Sequence, residues 1–315
     1  MMKKISVCIA CYNEEKNIEE TYRRLCEVLS GLEKYDYEII FEDNCSTDSS
    51  ERILRDLASK DYKVKIILNN RNFGPSRSGK NVFFAATGDA IVSMPCDLQE
   101  PPEIIPTFVE EWEKGNLIVW GQKVRSEENG IKYCCRCLYY KIIKWISDVP
   151  QYEQTTGFGI IDQSIMRILR DIDDPDISTR HLIAELGYPV KLIPYTQNAR
   201  KAGKSSYNLW RYLDFSINSL VRTSAVPLRL TTIFGAICAA ISFLLGIIYL
   251  IYKLNNWTAF QAGIAPVVIA VFFLGSVQLL CIGMMGEYVN VILKKVTKRP
   301  LVTEKERINF DENRS

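Results

Sequence analysis

The stretch NFGPSRSGKN contains the spacing in this sequence that most directly suggests phosphate chemistry. Gly74, Gly79 and Lys80 match the G-x-x-x-x-G-K-[ST] loop, whose backbone N–H groups surround nucleotide phosphates. Asn81, however, stands where that loop needs a Ser or Thr hydroxyl for Mg²⁺, and Pro75 removes one backbone donor. A phosphate-binding loop is therefore the disfavoured interpretation of this stretch.

Polar side chains follow four short apolar segments of the first hundred residues. The segments KISVCIAC, YEIIFED, VKIILNN and AIVSMPCD have the near-continuous hydrophobicity of strands buried on both faces. The side chains that come directly after them are Asn13 and Glu14, Asp43, Asn72 and Phe73, and Asp97 and Gln99. Asp43 suits a base N–H or a ribose hydroxyl. Asp97 suits Mg²⁺ or Mn²⁺, which take one or two protein carboxylates and complete their coordination with water and diphosphate oxygens.

Helical patterns alternate with these segments. EEKNIEETYRRLCEVLSGL predicts a helix that ends at Gly31, and a second helix begins near Asp48 with Ser46 or Thr47 as its cap. A further helix opens at PPEIIPTF, before a fifth strand, NLIVWGQ. This alternation predicts a doubly wound α/β fold with a parallel sheet, whose ligands bind beyond the carboxyl ends of the strands. Each Asp alone is equally typical of a cap or turn, but their common location favours a nucleotide site.

Composition excludes several other classes. The net charge of +2 gives no argument for nucleic-acid binding, and the single histidine, His181, disfavours a His-rich metal site or a Ser-His-Asp triad. No G-x-G-x-x-G follows the first strand, which argues against a dinucleotide oxidoreductase. Ten cysteines without a secretory signal predict reduced thiols and a cytosolic N-terminal domain. Cys134, Cys135 and Cys137 lack a nearby fourth ligand, so packing is favoured over zinc.

Two uncharged segments later in the chain predict a membrane hairpin. Residues 231–252 and about 257–285 are each long enough to cross about 30 Å of hydrocarbon. Basic residues flank the pair on one side, namely Arg222, Arg229, Lys294, Lys295, Lys298 and Arg299. The positive-inside rule then places both ends in the cytoplasm. Uncharged spans argue against a transporter, and their small residues permit the close helix contacts of a homo-oligomer.

The segment before these spans has the character of helices that lie in the headgroup layer. YNLWRYLDFSINSLVRTSAVPLRL places most of its apolar residues on one helical side, and Trp210, Arg211 and Arg222 are suitable interfacial anchors. IKYCCRCLYYKIIKWIS is similar. Packing against the sheet is the less favoured alternative for such a segment, and amphipathicity alone does not separate the two.

Taken together, these motifs resemble the membrane-anchored polyprenyl-phosphate glycosyltransferases. These are inverting GT-A-type enzymes of glycosyltransferase family 2, a group that includes bactoprenol glucosyltransferases and dolichol-phosphate mannose synthases. The matching pieces are CIACYNEEKNI, FEDNCSTDSS, NNRNFG, GDAIVSMPCDLQEPPE, RKAGKSSYN, VPLRL and GEYVNVILKKVTKRP, in family order over nearly the whole chain. NFGPSRSGKN then occupies the family's N-F-G loop, so its phosphate-loop spacing is a coincidence.

The resemblance implies a nucleotide-sugar donor, UDP-linked by preference, and a divalent cation. It implies that the nucleotide site includes Tyr12, Asn13, Glu14, Asp43, Asn72 and Ser205. It also implies that Asp97 and Gln99 hold Mg²⁺ or Mn²⁺, and that Arg200 and Lys204 act beside them on the phosphates, in a basic loop with Gly203. The expected domains are a GT-A domain (1–200), interfacial helices (201–229), a transmembrane hairpin (230–290) and a cytoplasmic tail (291–315).

The sequence departs from the family pattern at three positions. Pro95 replaces the first acid of D-x-D, Asn44 replaces the second acid of D-D-G-S, and Gly157 replaces an acid of the G-D-F-R region. A hydroxyl acceptor needs a base in this region, where Asp162 or Glu153 would have to serve. A phosphate monoester is already largely ionised at neutral pH, because its second pKa is about 6. The missing acid therefore favours a phosphate acceptor.

The expected activity is transfer of one hexose to a polyprenyl phosphate at the cytoplasmic face of the inner membrane, for cell-surface glycan synthesis. Two alternatives remain open. One is a membrane glycosyltransferase that uses a saccharide or lipid hydroxyl. The other is a catalytically degenerate scaffold that binds other membrane enzymes, as the three departures would allow.

Overall fold

The computed structural model describes residues 2–125, 152, 154–172, 179–198, 226–255, 264–297 and 300–310. These residues divide between two compact units. The α/β unit contains the described residues up to 198 and the C-terminal segment 300–310, and the helical unit contains two long helices. The predicted Cys134, Cys135 and Cys137 cluster, the basic loop and most of the interfacial segment lie outside the described residues.

The α/β unit is built on an eight-stranded sheet with the order β7-β5-β6-β4-β1-β2-β3-β8. Its strands are β1 (Lys3–Cys11), β2 (Tyr35–Asp43), β3 (Val64–Asn69), β4 (Ala90–Ser93), β5 (Ile118–Arg125), β6 (Thr155–Asp162), β7 (Lys191–Thr196) and β8 (Glu304–Ile308). Strands β3, β2, β1 and β4 are parallel, as predicted. The sheet as a whole is mixed, because β6 is antiparallel to β4 and β5 and β8 is antiparallel to β3.

Among the described residues, the α-helices of this unit are α1 (Ile18–Ser30), α2 (Ser50–Lys60), α3 (Pro75–Ala85), α4 (Ile105–Glu113), α5 (Gln163–Arg170) and α6 (Thr179–Leu186). Helix α1 is followed by Gly31 as predicted. The predicted cap of α2 is wrong: Ser49 precedes the helix. Ser46 and Thr47 instead bond to Asn13 in the loop after β1.

The stretch that resembles a phosphate loop forms the N-terminal part of α3. Gly74 precedes the helix with φ +83°, and Pro75 occupies the first turn, where its missing N–H would have no intrahelical partner. Lys80 is buried within the helix. The rejection of a phosphate-binding loop therefore agrees with the observed backbone.

Helices cover both faces of the sheet. On one face, Leu25 of α1 and Phe108 of α4 pack in a buried cluster with strand residues such as Ile9. On the other face, Val82 of α3 and Ile165 of α5 belong to a second cluster. Each fully buried side chain of this kind contributes about 1.5–3 kcal/mol relative to an exposed one. The two clusters hold the strands whose ends carry the candidate site.

The C-terminal segment is part of the sheet, which corrects the prediction of a simple tail for residues 291–315. Strand β8 pairs with the edge of β3. Arg55 forms an ion pair with Glu306 at 2.5 Å, and Lys305 forms one with Glu51 at 3.2 Å. Asn309 donates to two backbone carbonyls of the α2–β3 region. The sequence did not predict these contacts, because EKERI is as highly charged as an exposed segment. The same high charge is also typical of a strand at the edge of a sheet.

The helical unit contains α7 (Val226–Asn255) and α8 (Ile264–Val296). Among the described residues, one segment, Phe273–Leu293 of α8, is long and apolar enough to cross a membrane. The described apolar stretch of α7, Leu230–Leu245, is shorter. Many apolar side chains of both helices are exposed in the isolated chain. One crossing is therefore supported by length and composition, and the second stays a prediction.

Candidate active site

The loops after β1, β2, β3 and β4 lie along one edge of the sheet. Cys11, the last residue of β1, pairs with Asp43, the last residue of β2, and Asp43 pairs with Leu68 in β3. Cys8 pairs with Ser93 at the end of β4. The structure thus brings together the polar residues that follow these strands, although their roles toward a nucleotide stay predictions.

The loop after β1 is held by hydrogen bonds to the loop after β2. Asn13 has φ +56°, its backbone N–H donates to Ser46 Oγ at 2.9 Å, and its Oδ1 accepts from Thr47 N at 2.8 Å. Glu14 N donates to Ser50 Oγ at 3.0 Å. Tyr12 remains 41% exposed. Of the predicted nucleotide residues in this loop, Tyr12 and Asn13 are the exposed ones, and Glu14 is half-buried.

Asp43 is more deeply buried than we expect of a residue that faces a nucleotide. It is 1% exposed, and its carboxylate accepts from both the backbone N–H and the hydroxyl of Ser46. Burial raises the pKa of Asp43, although the two bonds from Ser46 oppose that change. In this conformation the carboxylate shapes the turn after β2.

Asn44 uses its amide to position the N-F-G loop. Its Nδ2 donates to Asn72 Oδ1 at 3.0 Å, and its Oδ1 accepts from Phe73 N at 2.9 Å. Asn72 Oδ1 also accepts from Gly74 N at 2.8 Å. The substitution of the family's acid at Asn44 therefore has a structural explanation, because an amide can donate and accept at the same time.

Asp97 and Gln99 lie in the loop after β4, where Leu98 between them has φ +56°. Gln99 N donates to Asp97 Oδ1 at 3.2 Å. Gln99 also contacts the segment after β7: its Oε1 accepts from Gln197 Nε2 at 3.2 Å, and its carbonyl accepts from Asn198 N at 2.9 Å. The metal motif therefore contacts the segment that continues into the predicted basic loop. Arg200, Lys204 and Ser205 of that loop lie outside the described residues.

The donor set of this loop is compatible with Mg²⁺ or Mn²⁺. Asp97 is half-buried and supplies a carboxylate, and Gln99 supplies an amide oxygen with a second lone pair. Within the described part of the chain, no group of three or more His, Cys, Asp or Glu residues is arranged to hold a metal ion. Mg²⁺ typically takes only one or two protein carboxylates beside substrate phosphates, so this small donor set fits.

Glu100 is a buried carboxyl group beside the metal motif that we did not predict from the sequence. It is 2% exposed, its Oε1 accepts from the Tyr195 hydroxyl at 3.2 Å, and Lys123 Nζ lies 4.0 Å away. Burial raises the pKa of Glu100, and Lys123 partly opposes that shift. The signal available in the sequence was its position directly after Asp97-Leu98-Gln99. Its neighbours in the sequence gave no indication that its carboxyl group would be buried.

Gly157 leaves open space where the family pattern has an acid. It has φ +90°, and a Cβ built there meets nothing within 4 Å among the described atoms. Asp162 cannot replace the missing acid, because it pairs with Ala90 at the start of β4, the far end from Asp97. Its carboxylate accepts from Ser164 N and Trp112 Nε1, each at 2.8 Å. Glu153, the other predicted substitute, lies outside the described residues.

Comparison with known proteins agrees with this arrangement. The sequence profile described as Glycosyl transferase family 2 matches residues 6–150. The glycosyltransferase YkcC of Bacillus subtilis (strain 168), named as uncharacterized, is 31% identical over 94% of this chain and 91% of its own length. The chain belongs to glycosyltransferase family 2. The resemblance stated from the motifs is confirmed.

Two further similarities extend over most of the chain. The SfII prophage-derived bactoprenol glucosyl transferase of Shigella flexneri is 30% identical over 94% of this chain and 96% of its own length. The solved mannosyltransferase PcManGT from Pyrobaculum calidifontis, in complex with GDP-Man and Mn²⁺, superposes with a TM-score of 0.50. It covers 95% of this chain and 89% of its own, at 14% identity, so that likeness shows the fold alone.

Proposed function

We propose that this family 2 glycosyltransferase moves a hexose from a UDP-linked donor to a polyprenyl phosphate at the cytoplasmic face of the inner membrane. The observation that carries the proposal is the similarity of 94% of the chain to a bactoprenol glucosyl transferase. Because that similarity extends well beyond the nucleotide-sugar domain, it includes the helical unit that would bring the protein to its lipid substrate.

The acceptor chemistry is consistent with the groups at the site. Gly157 has no carboxylate, and Asp162 lies beside the start of β4, at the opposite end of that strand from Asp97. A phosphate monoester does not need a base, since it is largely ionised at neutral pH. Catalysis then depends on in-line positioning and on stabilising the charge that develops on the departing nucleotide.

The metal would be held by Asp97 and Gln99 together with the donor diphosphate. A bound divalent cation would supply charge stabilisation to the leaving UDP. Gln99 also accepts from Gln197 and Asn198, so the same residue would orient the segment leading to Arg200 and Lys204. Those two cations would neutralise phosphate charge.

The topology of the sheet supports a membrane hairpin. The chain leaves the α/β unit after β7, passes through α7 and α8, and returns to the same sheet as β8. A chain that returns to the same sheet crosses a membrane an even number of times. Because α8 contains one candidate crossing, we infer that α7 supplies the second.

The test uses the purified full-length protein with Mn²⁺ or Mg²⁺, undecaprenyl phosphate and a panel of radiolabelled UDP-hexoses and GDP-mannose. Label that moves into the organic phase with one UDP-sugar supports the proposal. Undecaprenol, the same lipid without phosphate, is the matched acceptor control. Label on undecaprenol would favour the hydroxyl-acceptor alternative, transfer only from GDP-mannose would correct the donor, and no transfer from any donor would contradict the proposal.

A further inference from the structure

A pocket of about 190 Å³ lies beside Gly157, at the same edge of the sheet as Asp97. Ser93 ends β4 and pairs with Gly159 of β6, so the residues that begin β6 extend past the carboxyl end of β4. The pocket is lined there by Thr156 and Gly157, by the first turns of α3, and by the start of α6. It is therefore within the α/β unit, near the carboxyl end of β4, the strand that precedes Asp97 and Gln99.

The polar lining of this pocket suits an anion. Arg180 of α6 supplies a cation, and Ser76 of α3 supplies a hydroxyl group. The hydroxyl of Thr156, which also lines the pocket, is hydrogen-bonded to Glu100. The Arg180 guanidinium also donates to the Thr155 carbonyl, which holds it near the start of β6. No acidic residue is among the described residues that line the pocket. A carboxylate at position 157, as in the family pattern, would add a negative charge here.

The N-terminal end of α3 adds to this character. Pro75 and Ser76 of its first turn line the pocket, and the described residues supply no side-chain N-cap bond. The N-terminus of a helix carries partial positive charge and unpaired N–H groups, both of which favour anions. The NFGPSRSGKN stretch thus contributes to an anion-favouring surface, although it is not a nucleotide phosphate loop.

Trp120 provides an independent observation. It lines the pocket and is 1% exposed, and its Nε1 has no hydrogen-bond partner within the described part of the protein. Its ring packs at right angles to that of Tyr152, with centroids 5.3 Å apart. A buried donor without a partner costs about 1–3 kcal/mol, and native structures contain few of them. Because Nε1 itself is buried, an acceptor atom bound in the pocket would satisfy this N–H after a small shift of the indole ring.

We propose that this pocket binds the phosphate of the acceptor. Arg180 is the principal cation that contacts the phosphate, and the phosphate occupies the open space beside Gly157 and Gly79. The proposal rests on the proposed function and specifies where the acceptor phosphate lies. A site made of donors, with no described carboxylate, suits a phosphate monoester because phosphate oxygens only accept once ionised. The donor diphosphate carries the same chemistry, so the two phosphates must be separated by experiment.

Gly79 offers a direct way to block the pocket. It lies within α3, lines the pocket, and a Cβ built there meets nothing within 4 Å. Leucine and alanine both have higher helix propensity than glycine, so Gly79→Leu fills space without weakening α3. Gly79→Ala is the matched control, because it gains the same propensity while leaving most of the pocket open.

The experiment is isothermal titration of the detergent-solubilised full chain with farnesyl phosphate, a soluble phosphate monoester, and separately with UDP and Mn²⁺. We expect Gly79→Leu and Arg180→Gln each to lower the affinity for farnesyl phosphate at least tenfold, while the affinity for UDP changes less than twofold. Gly79→Ala, which adds a single methyl group, should weaken the binding of farnesyl phosphate far less than Gly79→Leu does. Thermal unfolding of each variant verifies that it is folded, and Arg180→Gln provides the test if Gly79→Leu is not.

The outcomes separate this inference from the proposed function. Loss of UDP binding in either variant, with farnesyl phosphate unaffected, would assign the pocket to the donor and overturn the inference. Unchanged affinities for both ligands would also overturn it. A protein that binds farnesyl phosphate through Arg180 yet transfers no sugar to undecaprenyl phosphate would support the pocket and contradict the proposed function.

Discussion

The two halves of the candidate site use their polar residues differently. In the loops after β1, β2 and β3, polar side chains accept mainly from backbone N–H groups of these loops: Asn13 from Thr47, Asp43 from Ser46, and Asn44 from Phe73. Around β4 and β6, Pro95 and Gly157 replace acids of the family pattern, and a pocket remains open beside Gly157.

This difference teaches that the three departures are not equivalent. Asn44 takes over a structural task, because its amide holds the N-F-G loop. Pro95 and Gly157 instead remove negative charge from the half that would bind metal and phosphate. Substitutions in the first half should therefore change mainly the free energy of unfolding. Substitutions in the second half should change mainly the rate of sugar transfer.

The largest effect is expected in the second half, at Asp97. Asp97→Asn should lower transfer to undecaprenyl phosphate by about 10²–10³-fold, the loss typical when one electrostatic contributor to a transition state is removed. Its thermal midpoint should change little, because Asp97 is only half-buried. Scintillation counting of the organic phase and a melting curve measure the two quantities. Unimpaired transfer would remove Asp97 from the catalytic groups.

Glu42 tests the buried interior beneath the first half. It is fully buried, accepts from Asn69 at 2.6 Å and from Asn81 at 3.1 Å, and faces the charge of Glu304. Burial raises the pKa of Glu42 to about 7.

The folded protein therefore keeps a proton up to about pH 7 that the unfolded chain releases near pH 4.5. The free energy of unfolding should fall between these pH values by about 3 kcal/mol and then level off. Thermal unfolding of the protein and of Glu42→Gln at pH 5 and pH 8 measures the difference. A variant with the same pH dependence as the unmodified protein would exclude Glu42 as its source.

Asn44 tests the structural role of the first half. Asn44→Ala removes the acceptor of the Phe73 N–H group and one acceptor of Asn69 Nδ2. This loss should lower the free energy of unfolding by about 1–3 kcal/mol. Asn44→Asp keeps an acceptor for Phe73 and should lose less. Urea unfolding compares the three proteins. If Asn44→Ala abolished transfer at unchanged stability, the contrast between the two halves would fail.

The smallest expected effect is at Cys45, which has φ +61°, in the left-handed region that glycine adopts most readily. A non-glycine residue in this region of backbone space is strained by about 1 kcal/mol. Cys45→Gly relieves that strain but gains freedom in the unfolded chain, so we expect stabilisation of at most about 1 kcal/mol. Cys45→Ala, which keeps the strain, is the control. A Cys45→Gly protein that melts well below Cys45→Ala would contradict this account.

Much of the fold was predictable because the signals are local. The hydrophobic runs identified β1 to β5, and Gly31 marked the end of α1. Strand β7 was missed. Strands β6 and β8 were also missed, because TTGFGIID and EKERI carry no strong local strand pattern. Each is specified by its partners, β4 and β5 for the first and β3 for the second.

The sequence by itself determined the family and the order of the strands that end in polar loops, and it predicted Asp97 and Gln99 as the metal ligands. Only the tertiary structure decided that Asp162 lies at the wrong edge, that Glu100 is buried beside Asp97, and that Arg180 and Gly157 share a pocket. The reason is physical: residue type and spacing report what a side chain can do. Which groups meet depends on strand register and on helices far apart in the chain.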